Sequence, residues 1–177
     1  TKAFDSVDRN LLLHSISSIG IVGRMYKAIS AMFKSPRARV ILNEYQTDYF
    51  ECTIGVKQGD SISPTLFACF VNTLSQELKA LNIGVKIDNN LTVSNLLYAD
   101  DIVLLGETES DLQDLLNVVD IWCKKWRMEV NIDKTNIMHI RKKNYKPRSI
   151  FMFLLGHQVV SYCESYKYLG LTIIMNK

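Results

Sequence analysis

Long apolar runs are absent from this 177-residue sequence. No run exceeds six residues, the length of Ile150 to Leu155, whereas a transmembrane helix needs about 20, so we expect no membrane-spanning segment. No positively charged stretch followed by an apolar one opens the chain, which argues against a secretory signal peptide. Low-complexity segments are also absent, and 47% apolar with 22% charged residues is typical of a globular domain.

Cysteine is scarce and scattered along the chain. The spacing contains no close pair of the kind that binds zinc or exchanges disulfides. The four cysteines are therefore interpreted as small buried apolar residues of a protein in a reducing compartment. They are Cys52, Cys69, Cys123 and Cys163.

The net charge of +3 conceals two segments of opposite sign. Residues 77–120 contain nine Asp or Glu and two Lys, whereas residues 124–148 contain nine Lys or Arg and two acids. Two solvated faces of opposite sign would account for this pattern. An acidic region that holds a metal beside a basic surface that meets a polyanion is the alternative, and charge alone does not decide between them.

Apolar periodicity predicts an α+β fold. Residues 8–18 and 22–33 and the segments beginning at Ser63 and Thr108 have helical spacing, and short β-branched or aromatic runs predict strands. Ser63 is the expected N-cap of the third helix, and Thr108 with Asp111 is a capping-box pattern that opens the fourth. Trp122 and Trp126 lie on an apolar stripe, so we assign them to the core rather than to base stacking. No Gly- or Ser-rich linker divides the chain, which predicts one domain with a strand-rich C-terminal extension.

Two adjacent carboxylates, Asp100 and Asp101, interrupt a pair of apolar runs. Residues 95–98 and 102–105 are predicted strands, so the aspartates would lie at the tip of a hairpin. Successive strand residues point to opposite faces, and both carboxylates can approach one ion only where the chain turns. A divalent cation removes their repulsion, and all-oxygen ligands suit Mg²⁺ or Mn²⁺. An ordinary Asp-Asp turn is the alternative.

A glycine-flanked amide precedes the third helix, in the segment from Gly55 to Asp60 that contains Gln58 and Gly59. Backbone N–H groups at a helix N-terminus favour anions, and glycine lets a base or sugar approach the main chain closely. The spacing of a Walker phosphate-binding loop is absent. A plain loop that enters a helix is the alternative.

Taken in order, these segments resemble the reverse transcriptase palm of non-LTR, LINE-type retrotransposons. The resemblance covers nearly the whole chain and implies a right-hand polymerase palm, a mainly antiparallel sheet with helices packed on one face. Residues 1–177 would form a partial reverse transcriptase domain that reaches the start of the palm–thumb connection, without fingers or full thumb. The matching blocks are Lys2 to Asp8, Gly55 to Asp60, Tyr98 to Asp101, Asn131 with Lys134-Thr135, and Tyr168-Leu169-Gly170.

The same resemblance implies catalytic roles for three residues. Asp100 corresponds to the principal metal-binding aspartate of the palm hairpin, and Asp101 corresponds to its acidic neighbour. Lys134 corresponds to a lysine that protonates the pyrophosphate leaving group. The implied reaction is RNA-directed DNA synthesis with two Mg²⁺ ions, or Mn²⁺, in which a DNA primer 3′-OH attacks a dNTP on an RNA template.

Contacts with the nucleotide and the primer also follow from the resemblance. Phe4 corresponds to the aromatic gate that excludes a sugar 2′-hydroxyl, and Gln58 and Gly59 correspond to the loop that packs on the incoming nucleotide and template. The hairpin that grips the primer end corresponds to Tyr168, Leu169 and Gly170.

One family element is missing from the sequence, because the first catalytic aspartate of the family lies five residues before the gate aromatic. Counted from Phe4, that position falls before Thr1, so we expect an N-terminally truncated sequence whose 177 residues alone lack activity. Asp5 and Asp8 follow the gate and are interpreted as structural, with Asp8 a plausible N-cap.

Several basic residues lie outside these blocks. Arg141, Lys142 and Lys143 are expected to contact phosphates, because a template–primer duplex must lie across this fold. For Arg37 and Arg39, which share one face of a predicted strand, contact with a triphosphate and simple exposure both remain open.

Two other functions are compatible with the residues. One is an RNA-dependent RNA polymerase, although an aromatic gate at Phe4 disfavours ribonucleotides. The other is a catalytically dead, polymerase-like remnant that binds nucleic acid. A retrotransposon product would be intracellular, in the nucleus or the cytoplasm.

Overall fold

The computed structural model of the chain describes residues 3–57, 59–140 and 151–174. Helices account for most of its regular structure, and their bounds follow the predicted periodicity closely. No helix in the described ranges is both long enough and apolar enough to cross a membrane. The helices are α1 (Ala3–Ser6), α2 (Arg9–Ser18), α3 (Gly23–Met32), α4 (Ser63–Ala80) and α5 (Glu109–Trp126), with a short 3-10 helix at Ile132–Lys134.

The strands are short and pair two at a time, which confirms the α+β class. The pairing is mainly antiparallel, as expected, but in the described residues six antiparallel pairs and one parallel pair remain separate instead of forming one sheet. With two to four residues, each strand offers few backbone groups to a third strand, and several pairs close through tight turns. The strands are β1 (Arg37–Ala38), β2 (Ile41–Leu42), β3 (Tyr45–Gln46), β4 (Phe50–Glu51), β5 (Val85–Lys86), β6 (Thr92–Val93), β7 (Asn95–Tyr98), β8 (Asp101–Leu104), β9 (Asn136–Ile137), β10 (Leu154–Leu155), β11 (Gln158–Val159), β12 (Ser161–Tyr162), β13 (Ser165–Tyr168) and β14 (Leu171–Ile174).

An apolar core holds the helices together, with α2 and α5 packed on α4. Helix α4 supplies the centre of this core because its apolar residues recur with helical spacing on one face. Burial of such side chains contributes about 1.5–3 kcal/mol each. The largest fully buried ones include Leu12, Phe67, Phe70, Leu74 and Leu115.

The two tryptophans of α5 belong to this core, as predicted. The rings of Trp122 and Trp126 meet the Phe70 ring edge-on, with centroids 5.7 and 5.2 Å away. The indole N–H of Trp122 donates a hydrogen bond to the Thr73 hydroxyl at 2.9 Å. Buried in this way, neither indole is available for stacking on bases.

Helix caps confirm one prediction and correct another. Thr108 and Asp111 form the expected capping box at the start of α5. Ser63, however, is not the N-cap of α4, since it already lies inside the helix and Ile62 precedes it. The reason is that the Asp60 carboxylate accepts the Ile62 N–H at 3.2 Å and the Asp60 carbonyl accepts the Ser63 N–H at 3.3 Å, so the chain turns earlier.

The four cysteines are half-buried rather than buried, and all are free thiols. Burial, with Asp120 nearby, raises the pKa of Cys123 to about 11. Burial also raises the pKa of Cys163. These two thiols are therefore protonated at neutral pH and are poor nucleophiles.

Helix α5 also anchors the C-terminal strands. The side-chain amide of Gln113 donates to the Leu154 carbonyl at 2.8 Å, and its oxygen accepts the Leu154 N–H at 3.0 Å. The amide thus pairs with β10 as a neighbouring strand would, and satisfies both backbone groups at a partly buried position.

Candidate active site

Asp100 and Asp101 lie at the tip of the hairpin formed by β7 and β8. Tyr98 pairs with Asp101, so Ala99 and Asp100 alone form the turn. Asp101 is therefore the first residue of β8, one position before the predicted start of that strand. A two-residue turn reverses the chain tightly and keeps both carboxylates at one end of the hairpin.

The base of this hairpin is fixed by a small buried polar network. The Asn95 side-chain amide donates to the Ser75 hydroxyl of α4 at 3.1 Å, and the Ser94 hydroxyl donates to the Asn95 side-chain oxygen at 2.9 Å. Leu97 and Ile102 of the two strands pack against the apolar core. The hairpin is thus anchored at one end, while its tip projects from the core.

Both carboxylates at the tip are exposed. Within the described residues, neither has a hydrogen-bond or ion-pair partner, and no cluster of three His, Cys, Asp or Glu side chains surrounds a possible metal position. Two adjacent carboxylates with unengaged oxygens are the donor set that Mg²⁺ or Mn²⁺ prefers. The pair fits such an ion as part of its coordination, and other ligands must complete it.

The turn itself is strained at Ala99, whose φ of 52° lies in the left-handed region. A side chain in that region costs about 1–2 kcal/mol relative to ordinary backbone, and glycine is preferred at this position of a two-residue turn. The strain is therefore stored next to the carboxylate pair, as is common where a site fixes its geometry.

Replacing Ala99 by glycine should stabilise the fold, because it relieves this strain. We expect the free energy of unfolding to rise by about 1 kcal/mol, measured by urea denaturation. Ala68→Gly is the matched control, since Ala68 is exposed inside α4 and glycine there should cost about 1 kcal/mol. A loss of stability in both variants would contradict the assignment of strain.

Phe4 and the loop that begins at Gly55 form a second group of predicted site residues. Within the described part of the chain, none of their hydrogen bonds or ring contacts is with the carboxylate pair at the hairpin tip. The Gly55 N–H donates to the Val7 carbonyl at 2.8 Å, and the Val56 N–H donates to the Phe4 carbonyl at 2.9 Å. A Cβ on Gly55 would lie 2.8 Å from the Asp5 carbonyl oxygen, so only glycine permits this approach. The structure therefore brings the predicted gate and the predicted nucleotide loop together.

The Phe4 side chain is half-buried and stacks on Phe67, with ring centroids 4.3 Å apart and planes at 17°. Phe67 belongs to the buried core of α4. This contact fixes the orientation of the Phe4 ring. Gly59, further along the loop, is exposed and has a φ of 86°, so an open turn follows the anchored segment.

A buried arginine, Arg9, holds the main chain that leads into the same loop. Arg9, only 9% exposed, donates from Nε to the Gly55 carbonyl at 2.8 Å, from Nη2 to the Ile54 carbonyl at 3.0 Å, and from Nη1 to the Cys52 carbonyl. Its guanidinium also lies 5.6 Å from the Phe33 ring centroid. Burial lowers the pKa of Arg9, an effect that Cys52 opposes. Three carbonyls of one segment are thus held by one side chain.

Lys134 lies near the C-terminal hairpin of β13 and β14. It ends the 3-10 helix with its side chain exposed, and its carbonyl accepts a hydrogen bond from the Tyr166 hydroxyl at 3.4 Å. Leu169 and Gly170 form the two-residue turn of the hairpin, with φ of 47° and 86°. Leu169 is therefore a second strained, exposed turn residue.

The remaining predicted residues divide into two groups. Asp8 is structural as expected: its carboxylate caps α2 by accepting the Asn10 and Leu11 N–H groups at 2.9 and 3.1 Å and pairs with Arg127 at 2.8 Å. The rest lie outside the residues that the structure describes. They are Gln58, Arg141, Lys142 and Lys143.

Comparison with known families identifies the class of this protein. The family model for "Reverse transcriptase (RNA-dependent DNA polymerase)" matches residues 1–173, so the chain belongs to the reverse transcriptase family. This membership disfavours the alternative of an RNA-dependent RNA polymerase.

Relatives come from non-LTR retrotransposons. The chain is 26% identical over 176 residues to the Pol polyprotein of the type-1 retrotransposable element R2 of Nasonia vitripennis, covering 96% of this chain and 17% of that protein. It is 26% identical to the R2 protein of Popillia japonica, covering 97% of this chain and 29% of that protein. It is 22% identical to the RNA-directed DNA polymerase from mobile element jockey of Drosophila funebris, covering 97% of this chain and 18% of that protein. The chain thus spans less than a third of these relatives' length.

Sequence reasoning missed the buried residues that hold the Gly55 loop and the base of the β7–β8 hairpin in place. Arg9 was not singled out, and neither was the network of Ser75, Ser94 and Asn95. Arg9 has no local sequence signal, because its carbonyl partners lie more than 40 positions away. The polar network has no sequence signal, because a buried Asn is indistinguishable from an exposed one until α4 is placed beside it.

Proposed function

We propose that this chain forms part of an RNA-directed DNA polymerase, which extends a DNA primer with dNTPs on an RNA template. The observation that carries the proposal is the exposed pair Asp100–Asp101 at the tip of a hairpin anchored to the core. A solvated Asp-Asp turn would need neither the buried network at its base nor the strain at Ala99. Family membership supports the same chemistry.

In this proposal Asp100 and Asp101 hold divalent metal, two Mg²⁺ ions or Mn²⁺, together with a carboxylate from residues that precede Thr1 in a longer polypeptide. The family pattern, in which an aspartate lies five residues before the gate aromatic, supports that third ligand. Metal ions bound there stabilise charge on the attacking and leaving oxygens during phosphoryl transfer. The hairpin's own contribution is to keep both carboxylates fixed before the substrate arrives.

The other predicted residues take supporting roles. Phe4, fixed on Phe67, limits the space beneath the sugar, and Gln58 and Gly59 contact the incoming nucleotide. Lys134 donates a proton to pyrophosphate, and its exposed side chain allows this.

The primer end and the duplex require further contacts. Tyr168, Leu169 and Gly170 hold the primer end, while the basic run binds duplex phosphates. That run consists of Arg141, Lys142 and Lys143. The location of the protein in the nucleus or the cytoplasm stays a prediction.

The direct test is primer extension by the longer polypeptide in which we propose that these 177 residues lie. Extension of a DNA primer on an RNA template with dNTPs and Mg²⁺, lost on chelation, is the expected result. A polypeptide that binds template–primer tightly but never extends it would instead support a catalytically dead remnant.

Replacing Phe4 by valine should relax the choice of sugar, because the smaller side chain leaves room for a 2′-hydroxyl. We expect the ratio of kcat/KM for dGTP over rGTP to fall roughly tenfold, about 1.4 kcal/mol of differential transition-state binding. Phe50→Val is the control, since it makes the same substitution at an exposed ring of β4, away from the Phe4–Phe67 stack. An unchanged ratio in Phe4→Val would make Phe4 an ordinary core aromatic.

A further inference from the structure

The first third of the chain carries charge of only one sign over a long stretch. Residues 9–43 contain six Lys or Arg and no Asp or Glu. They comprise α2, α3, β1 and β2, and lie outside both charged segments that the sequence first indicates. The basic residues are Arg9, Arg24, Lys27, Lys34, Arg37 and Arg39.

Three of these cations, Arg9, Lys27 and Lys34, line an open cavity of about 420 Å³ between α2 and α3, and no carboxylate lines it. The other lining residues are the polar Asn10, Tyr26 and Ser30 and the apolar Leu13, Ala31 and Phe33. Cations without an opposing carboxylate make this concave surface attractive to a phosphate.

A second cavity continues this surface toward β1. It has a volume of about 270 Å³, shares Arg9, Asn10 and Phe33 with the first, and is also lined by the carboxylates of Asp8 and Glu51. The Asp8 carboxylate already caps α2 and pairs with Arg127. Arg37 follows Lys34 by three positions, so their Cα atoms lie within about 11 Å of each other. The next basic pair, Arg37 and Arg39, therefore lies close to the lysines of the first cavity.

That pair, Arg37 and Arg39, is held on a single ring. Their guanidinium carbons lie 5.7 and 5.1 Å from the Tyr49 ring centroid. Within the described residues, neither has a carboxylate within 4.0 Å, although Glu51 stands opposite Arg37 in the β1–β4 pair. Two like charges on one ring repel each other, and a bound phosphate, which guanidinium groups contact bidentately, would relieve this repulsion.

We propose that Lys27, Lys34, Arg37 and Arg39, here called the α3 basic face, bind the phosphate backbone of single-stranded RNA. Exposed aromatic rings favour an unpaired strand, because bases stack on them. Tyr45, which follows Arg39 by six positions in the sequence, is 83% exposed. The identity of the strand as the template rests on the proposed function. Binding itself does not, since these residues lie on other elements than the hairpin of Asp100.

The test measures the affinity of the 177-residue chain for a single-stranded RNA by fluorescence anisotropy at several KCl concentrations. In Lys27→Gln/Lys34→Gln and in Arg37→Gln/Arg39→Gln, the slope of log K against log salt should fall in magnitude by about 0.7 per lost contact, or about 1.4 per double variant. Glu51→Gln should strengthen binding. Circular dichroism confirms that each variant is folded.

Lys79→Gln/Lys86→Gln is the matched control, because it removes the same net charge from exposed lysines in the acidic segment. The proposal is overturned if the control lowers the slope as much as the two test variants do, or if the test variants leave it unchanged. It is also overturned if Lys27→Gln/Lys34→Gln weakens binding to anionic phospholipid vesicles but does not weaken binding to RNA. If the test variants reduce the slope but the longer polypeptide cannot extend primers, RNA binding by the α3 basic face is supported and the proposed polymerase function is contradicted.

Discussion

Asp100→Asn should abolish primer extension by the longer polypeptide while leaving its affinity for template–primer nearly unchanged. The substitution removes a negatively charged metal ligand but no contact with phosphate. Because metal ions supply several kcal/mol of transition-state stabilisation, and about 1.4 kcal/mol corresponds to a factor of ten, we expect kcat to fall roughly a thousandfold. Single-turnover extension with Mg²⁺ measures the rate, and anisotropy at fixed salt measures binding.

The carboxylate at Asp114 provides the control for charge. It is exposed on α5 and, like Asp100, loses one negative charge in Asp114→Asn, which should leave extension unaffected. If binding and extension fell together in Asp100→Asn, with a lower unfolding temperature, Asp100 would be a folding residue, and the carboxylate pair would not be the catalytic centre.

Arg9→Met should destabilise the fold by about 3 kcal/mol, because three partly buried carbonyls lose a charged donor at once. Methionine keeps most of the apolar volume, so the loss reports on the hydrogen bonds rather than on a cavity. For a chain of this size the unfolding temperature should fall by roughly 6–12 °C. Thermal and urea denaturation of the 177-residue chain measure both quantities.

Arg24→Met serves as the comparison for Arg9→Met, since Arg24 is exposed on α3. Arg9→Lys should lie between the two, because one ammonium cannot reach three carbonyls in the fork geometry of a guanidinium. Equal stabilities for Arg9→Met and Arg24→Met would mean that water replaces the lost donors without cost, and that backbone hydrogen bonds to Phe4, Val7 and Pro36 suffice to hold residues 52–56.

Periodicity and caps were sufficient to predict most helices from the sequence. The apolar stripe of α5 places Trp122 and Trp126 correctly in the core, and Thr108 with Asp111 marks the start of that helix, because both signals depend on residues a few positions apart. The β7–β8 hairpin was predictable for the same reason, apart from Asp101, whose place in the strand is set by a turn of two residues instead of three.

The features that escaped prediction depend on residues distant in sequence. Arg9 contacts carbonyls more than 40 positions away, and no local pattern indicates which segment will lie there. The division of the strands into separate pairs depends on pairing register, which strands of two residues do not specify. The left-handed backbone at Ala99 and Leu169 contradicts the propensity of both residues, so propensity predicts the wrong turn.

Two backbone hydrogen bonds join the Phe4 and Val7 carbonyls to the loop at Gly55, so the proposed gate and the proposed nucleotide loop are tied together. Any displacement of the loop toward or away from a nucleotide carries Phe4 with it, because the Phe4 and Val7 carbonyls hold the main chain of Val56 and Gly55 directly. In the roles we propose for them, contact of the loop with a base and exclusion of a sugar hydroxyl by Phe4 are therefore coupled.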